Sequence, residues 1–132
     1  MSDSDSIFDD ADLIFAYTAE DAVADGVLIN AREGDIAEVT GQHIRAELPV
    51  FISHGLHSLI QTAVDNPHAY NDWRGVWHDV LTMWRHAVRR KPRDDCFIAF
   101  EVHITGAGPN DEHRIFAILD GAGLTFMLPS DY

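Results

Sequence analysis

The chain contains eight histidines, and two of them, His54 and His57, stand three residues apart. On a helix this spacing puts both imidazoles on one face, where two neutral ring nitrogens can share a divalent cation. The remaining ligands of such a site are not signalled, because no HExxH or equivalent pattern accompanies the pair. His78 and Asp79 are adjacent, and His86 follows two turns later. A carboxylate beside an imidazole is the arrangement of a general base. No serine or cysteine sits in a nucleophile motif, however, and "ISHGLHS" (52–58) is not a nucleophile elbow. An enzyme or small-ligand site, if the chain has one, is expected near His54/His57 or His78/Asp79. The competing expectation is that these histidines are ordinary helix-surface residues and that Asp79 bonds a loop backbone or pairs with an arginine. "GAGPND" (106–111) has neither the Lys-Ser/Thr of a P-loop nor a helix to open, so it reads as a hairpin loop. Cys96 is the only cysteine, which excludes an intrachain disulfide and a Cys-based zinc site. No catalytic residue, cofactor or metal is assigned from the sequence.

Charge carries the stronger signal. The formal net charge is -13, yet it is unevenly spread. Residues 1–50 hold twelve Asp/Glu against Arg32 and Arg45, whereas residues 73–91 hold Arg74, Arg85, Arg89, Arg90 and Lys91 against Asp79 alone. A molecule this acidic repels nucleic-acid phosphates over much of its surface, so direct nucleic-acid binding is disfavoured and a partner protein with a basic surface is favoured. Asp9, Asp10, Asp12, Glu20, Asp21 and Asp25 form the acidic candidate surface. Arg85, Arg89 and Arg90, extended by Lys91 and Arg93, form the basic one. Trp73 or Trp84 could stack a base beside these cations. Both tryptophans nevertheless lie on an apolar stripe, and cations in a last helical turn also meet the negative end of the helix dipole.

The elements that must position these groups are readable. With 132 residues, 46% of them hydrophobic, the chain suits one folded domain. Residues 1–12 read as an acidic flexible tail and 13–132 as a single α+β domain. No apolar run reaches the ~18 residues of a membrane span and the acidic start lacks signal-peptide features, so a cytoplasmic protein is expected. A short helix is expected between the N-cap Thr18 and Gly26, and a strand or extended segment over 27–31. One or two helical turns follow over 34–42, capped by Asp35 and stopped at Gly41. An extended "ELPVFIS" leads to the N-cap Ser53 and a helix over 54–65, ended by Pro67.

The long helix, about 72–90, is capped by Asn71 or Asp72 and bounded by Pro92. Its stripe is Trp73, Val76, Trp77, Val80, Leu81, Trp84, Ala87 and Val88; Arg74, His78, Thr82, Arg85 and Arg89 take the other side. Three strand-like runs, 96–105, 113–121 and 123–131, complete the chain. The expected fold is therefore two to three helices, including this Trp-rich core helix, packed on a C-terminal three-stranded antiparallel meander that residues 27–31 could join.

"YTAEDAVADGVLIN" (17–30), "LPVFIS" (48–53), "RGVWHDVLTMWRHAVRR" (74–90) and "FMLPSDY" (126–132) follow one another in this order and together span most of the length of the chain. In these stretches the chain resembles a family of small proteins of no established function, encoded on bacterial plasmids, phages and other mobile elements. Tyr17-Thr18 and the helix residues Gly75, Trp77, Asp79, Val80, Leu81 and Met83 carry the likeness. The resemblance implies a mobile-element gene and brings no catalytic residues. With the charge pattern, it leads to the expectation of a non-enzymatic acidic interaction protein. Such a protein would bind a host or phage protein, for instance by an anti-CRISPR or anti-restriction type of inhibition. A homodimer is a further expectation if the tryptophans leave an exposed apolar patch.

Overall fold

The structure, a computed structural model, describes residues 27–91 and 96–132 together with the single residue Val23. The acidic tail, the helix expected at 18–26 apart from Val23, and Pro92 and Arg93 lie outside the described residues. So do Asp9, Asp10, Asp12, Glu20, Asp21 and Asp25.

Ser53 turns the chain from strand to helix. Its hydroxyl oxygen accepts from the Leu56 amide at 3.2 Å, which starts helix α2 (His54–Asp65). Asn66-Pro67 ends that helix as expected, since proline lacks the needed donor. Asp72 does the same for α3 (Trp73–Arg89), where its carboxylate accepts from the Gly75 amide at 3.0 Å. Ahead of both, a 3-10 turn (Gly34–Ile36) runs into α1 (Ala37–His43). This segment departs from the expected cap and stop. Asp35 lies within the 3-10 turn and provides no side-chain cap, and α1 continues through Gly41 to His43. Buried Val39 and Thr40 anchor that helix from inside, so an exposed glycine does not end it.

The sheet also differs from expectation. It has five strands in the order β1-β2-β5-β4-β3 and is mixed, not a three-stranded antiparallel meander. β3 (Phe97–His103), β4 (Glu112–Asp120) and β5 (Gly123–Met127) are antiparallel neighbours, and β2 (Val50–Ser53) then pairs with β5 in parallel. β1 (Leu28–Asn30) closes the far side, antiparallel to β2. A parallel neighbour requires a crossover, and α2, α3 and the β3–β4 hairpin together supply it. The run expected over 123–131 stops at Met127 because Pro129 opens a 3-10 turn, Pro129–Asp131. Gly123 sits at φ +139, and any Cβ there would meet the Pro49 carbonyl oxygen at 2.5 Å. Only glycine lets the β4–β5 turn approach the start of β2 so closely.

The core lies between the helices and one sheet face. Ile98, Phe100 and Val102 of β3, Ile115 and Ala117 of β4, Phe126 of β5 and Ile52 of β2 alternate onto that face. α3 meets them with Val76, Trp77, Val80 and Leu81, all buried. The expected stripe is otherwise only partly inside: Trp73, Trp84 and Ala87 are half-buried, and Val88 is exposed where the last turn passes beyond the core. Phe126 receives the edges of Trp77 at 5.2 Å and Trp84 at 5.7 Å. Trp77 also has a polar partner. Its indole N–H donates to Thr40 Oγ at 2.9 Å, and that hydroxyl donates to the Ala31 carbonyl at 2.7 Å. No helix among the described residues is long and apolar enough to cross a membrane.

Candidate functional site

α3 runs about 24 Å from Trp73 to Arg89, at 1.5 Å per residue, and its two ends present different chemistry. At the N-terminal end, two adjoining clefts of 460 and 190 Å³ share Asp35 and Trp73. The larger is also lined by Glu38, Asp72 and Arg74, the smaller by Glu33, Ile36 and His57. Glu38 is taken up by Arg74, whose guanidinium lies 2.6 Å away and also donates to the Asp35 carbonyl at 3.0 Å. The side-chain carboxylates of Glu33 and Asp35 have no partner among the described residues. Trp73 is held in place by its N–H, which donates to Gln61 Oε1 at 2.9 Å, and by His57, whose ring lies 4.8 Å from the indole.

At the other end, the last turns of α3 and the outer strand β3 enclose a cleft of 400 Å³. Met83, His86, Arg90 and Lys91 form its helix wall, and Glu101 with Arg114 its sheet wall. Glu101 and Arg114 are paired across the strands at 3.7 Å, both well exposed. His86, Arg89, Arg90 and Lys91 have no side-chain hydrogen bond or ion pair among the described residues.

These unpartnered cations contrast with the rest. Arg32 donates to the carbonyls of Leu48, Ile44 and Arg45, at 2.8 Å and 3.3 Å for the first two, and so ties down the turn after α1. Arg45 meets Glu47. Arg85 approaches His43 Nδ1 at 3.4 Å. Arg85 therefore belongs to the seam with α1, which separates it from Arg89 and Arg90.

The histidine candidates do not assemble. His54 is exposed at the first position of α2, while His57 faces Trp73. Burial first, and the nearby His54 second, push the His57 imidazole below its ordinary range. His78 pairs with His43 of α1 instead of a carboxylate: His43 Nε2 and His78 Nδ1 are 2.9 Å apart, so one donates and the other accepts. His43 is also pushed down, by burial first, then by His78 and Arg85. Asp79 is exposed, and no hydrogen bond or ring contact joins it or His78 to His54 and His57. Among the described residues no group of three or more His, Cys, Asp or Glu is placed to hold a metal ion.

Sequence reasoning missed the acids around Trp73 and the pair Glu101/Arg114. Glu33, Asp35 and Asp72 flank a glycine turn and a helix start, which is a usable signal. The cross-strand pair follows from placing both residues about the 106–111 hairpin loop. It also missed that Ser53 donates to Asp131 Oδ2 at 2.7 Å, which fixes the C-terminal turn over the first turn of α2. The stretches "LPVFIS" and "FMLPSDY" thus meet. No family model, curated protein or solved structure matches the chain.

Proposed function

We propose that this is a non-enzymatic interaction protein of a mobile genetic element, and that it acts by binding a host or phage protein through that partner's basic surface. A defence or nucleic-acid-processing protein, inhibited in the anti-CRISPR or anti-restriction manner, is the kind of target that fits. The observation that carries this reading is the pair of clefts around Trp73, with the carboxylates of Glu33 and Asp35 unpartnered among the described residues. An arginine or lysine entering there gains a charge-assisted bond to a carboxylate and contact with an aromatic surface. The strongly negative net charge steers such a partner inward and speeds the encounter.

The alternative, a small ligand-binding or hydrolytic enzyme working through His54/His57 or His78/Asp79, has less support. A general base must hold its proton acceptor toward a substrate, and His78 is instead engaged with His43.

The test is affinity purification from host lysate with the wild type and the Glu33→Lys/Asp35→Lys variant, at low and moderate salt. A protein retained by the wild type and lost with the variant supports the reading, provided the purified partner shifts the tryptophan emission of the wild type and not that of Trp73→Phe. Equal recovery by both proteins, or recovery of nothing specific, counts against it.

A further inference from the structure

We propose that the outer edge of β3, together with the basic end of α3, is a docking site for an extended acidic peptide segment of a partner protein. The site lies at the opposite end of α3 from the Trp73 clefts and does not depend on them.

β3 is an outermost strand of the sheet. From Ile98 to His103 its outward backbone groups have no hydrogen-bond partner among the described residues. Such an edge offers N–H and C=O groups at every second residue and is a ready template for an added strand. β3 has seven residues, enough to hold a segment in register.

Charge identifies the occupant. In a chain with 22 acids and nine Lys/Arg, the side chains of three successive cations, Arg89, Arg90 and Lys91, have no partner among the described residues. Arg90 and Lys91 line the cleft beside β3; Arg114 lines it as well, but its charge is matched by Glu101, its neighbour across the strands. A strand laid along β3 points alternate side chains toward α3, so Asp or Glu at every second position meets these cations. Met83 and Ala87 add an apolar stretch to the same helix wall.

The other occupants fit less well. A second copy pairing β3 against β3 would bring two sets of Arg90 and Lys91 together, which repel. A nucleic acid would find no aromatic residue of α3 on which to stack in this cleft, since Trp84 is half-buried against Phe126.

The experiment measures fluorescence anisotropy of a labelled peptide of about ten residues, alternating Glu and Thr, added to the full chain at about 50 mM salt. Saturable binding is expected, weakened about tenfold or more by Arg90→Glu/Lys91→Glu. The same peptide with central residues N-methylated should also lose most of its affinity, because it cannot complete the strand ladder. Circular dichroism checks that the variant keeps its fold, which the exposure of both residues favours.

Absence of binding, or binding indifferent to the charge reversal, overturns the proposal. Equal affinity for the N-methylated peptide removes the strand and leaves only charge, which also overturns it. Tighter binding of a single-stranded oligonucleotide of equal charge reassigns the cleft to nucleic acid. A dimer seen by light scattering and dissolved by the peptide reassigns the edge to a second copy.

Discussion

The polar face of α3 is built differently at its two ends. Toward the N-terminus, Arg74 reaches Glu38 and the Asp35 carbonyl, and His78 reaches His43. Each of these groups ties α3 to the α1 region, and each has a structural reason to be there. Toward the C-terminus, Arg89, Arg90 and Lys91 tie α3 to nothing among the described residues. The same helix therefore separates polar groups that hold the fold from polar groups that the fold leaves available. A partnered charge on a small domain explains itself, whereas an unpartnered cluster of like charges beside an open strand edge is available to a ligand.

The comparison assumes that α3 is a rigid bar fixed at its middle, and Trp77 is that fixing point. Its indole is fully buried, edge-on to Phe126, with its N–H on Thr40. Trp77→Ala should destabilise the protein by about 3–5 kcal/mol, the range for deleting a buried large aromatic. Chemical denaturation followed by circular dichroism measures this. A loss below about 1 kcal/mol would mean that α3 is not anchored as described, and its two ends could not be compared as parts of one element.

Thr40→Val keeps the volume close but removes the acceptor of the Trp77 N–H and the donor to the Ala31 carbonyl. Two buried groups are left unpaired, and the expected loss is about 1–3 kcal/mol. The measurement is the same denaturation curve. The informative contrast is Trp77→Phe with Thr40→Val, which should lose less than the two single changes added together.

How much of this was legible in the sequence follows from the range of the signals. α2 is found at its expected bounds because Ser53 caps it, apolar residues recur along it, and proline stops it, all within a few residues. The Asp72 cap and the inward Trp77 are local in the same way. β2 gave no alternation to read: all four of its residues are buried, because it lies inside the sheet. Its parallel pairing with β5 joins residues more than seventy positions apart, which no local pattern encodes. The candidate sites divide along the same line. The arginine cluster could be seen, but whether each cation has a partner depends on contacts such as Arg74 with Asp35, 39 positions away. The residues that close the two clefts, Glu33 and Asp35 on one and Glu101 and Arg114 on the other, come from elements whose placement only the sheet topology decides.

The seam between α1 and α3 should also be sensitive to pH. His43 is held below its ordinary value of 6.5 by burial, by His78 and by Arg85; Arg74 and Glu38, one turn away, neutralise each other. Below that value the unfolded chain takes up more protons than the folded one. Stability is therefore full above about pH 6.5 and falls as the pH drops through it toward the folded value. His57 acts in the same direction. His103, raised by its hydrogen bond to Glu112, acts in the opposite one, but that pair is fully exposed and screened. Melting temperature should drop between about pH 8 and about pH 5.5, and His43→Gln should flatten the drop without abolishing it. An unchanged profile in the variant would remove the seam from the list of structural contacts.

The smallest effects discriminate best between the two ends. Arg74→Ala breaks a partly exposed ion pair and a bond to a carbonyl, so it should cost up to about 1 kcal/mol. Arg90→Ala/Lys91→Ala breaks no contact among the described residues, and only their attraction to the helix dipole is lost. The expected change is within about 0.5 kcal/mol, the range of exposed residues without special roles. Both can be measured at low and high salt, where the small dipole contribution should fade further. Should the double change prove more destabilising than Arg74→Ala, the cations at the end of α3 would be holding the fold, and their availability to a partner would no longer follow. If the order stands as expected, the basic end of α3 is dispensable for folding, which leaves those positions free to serve binding.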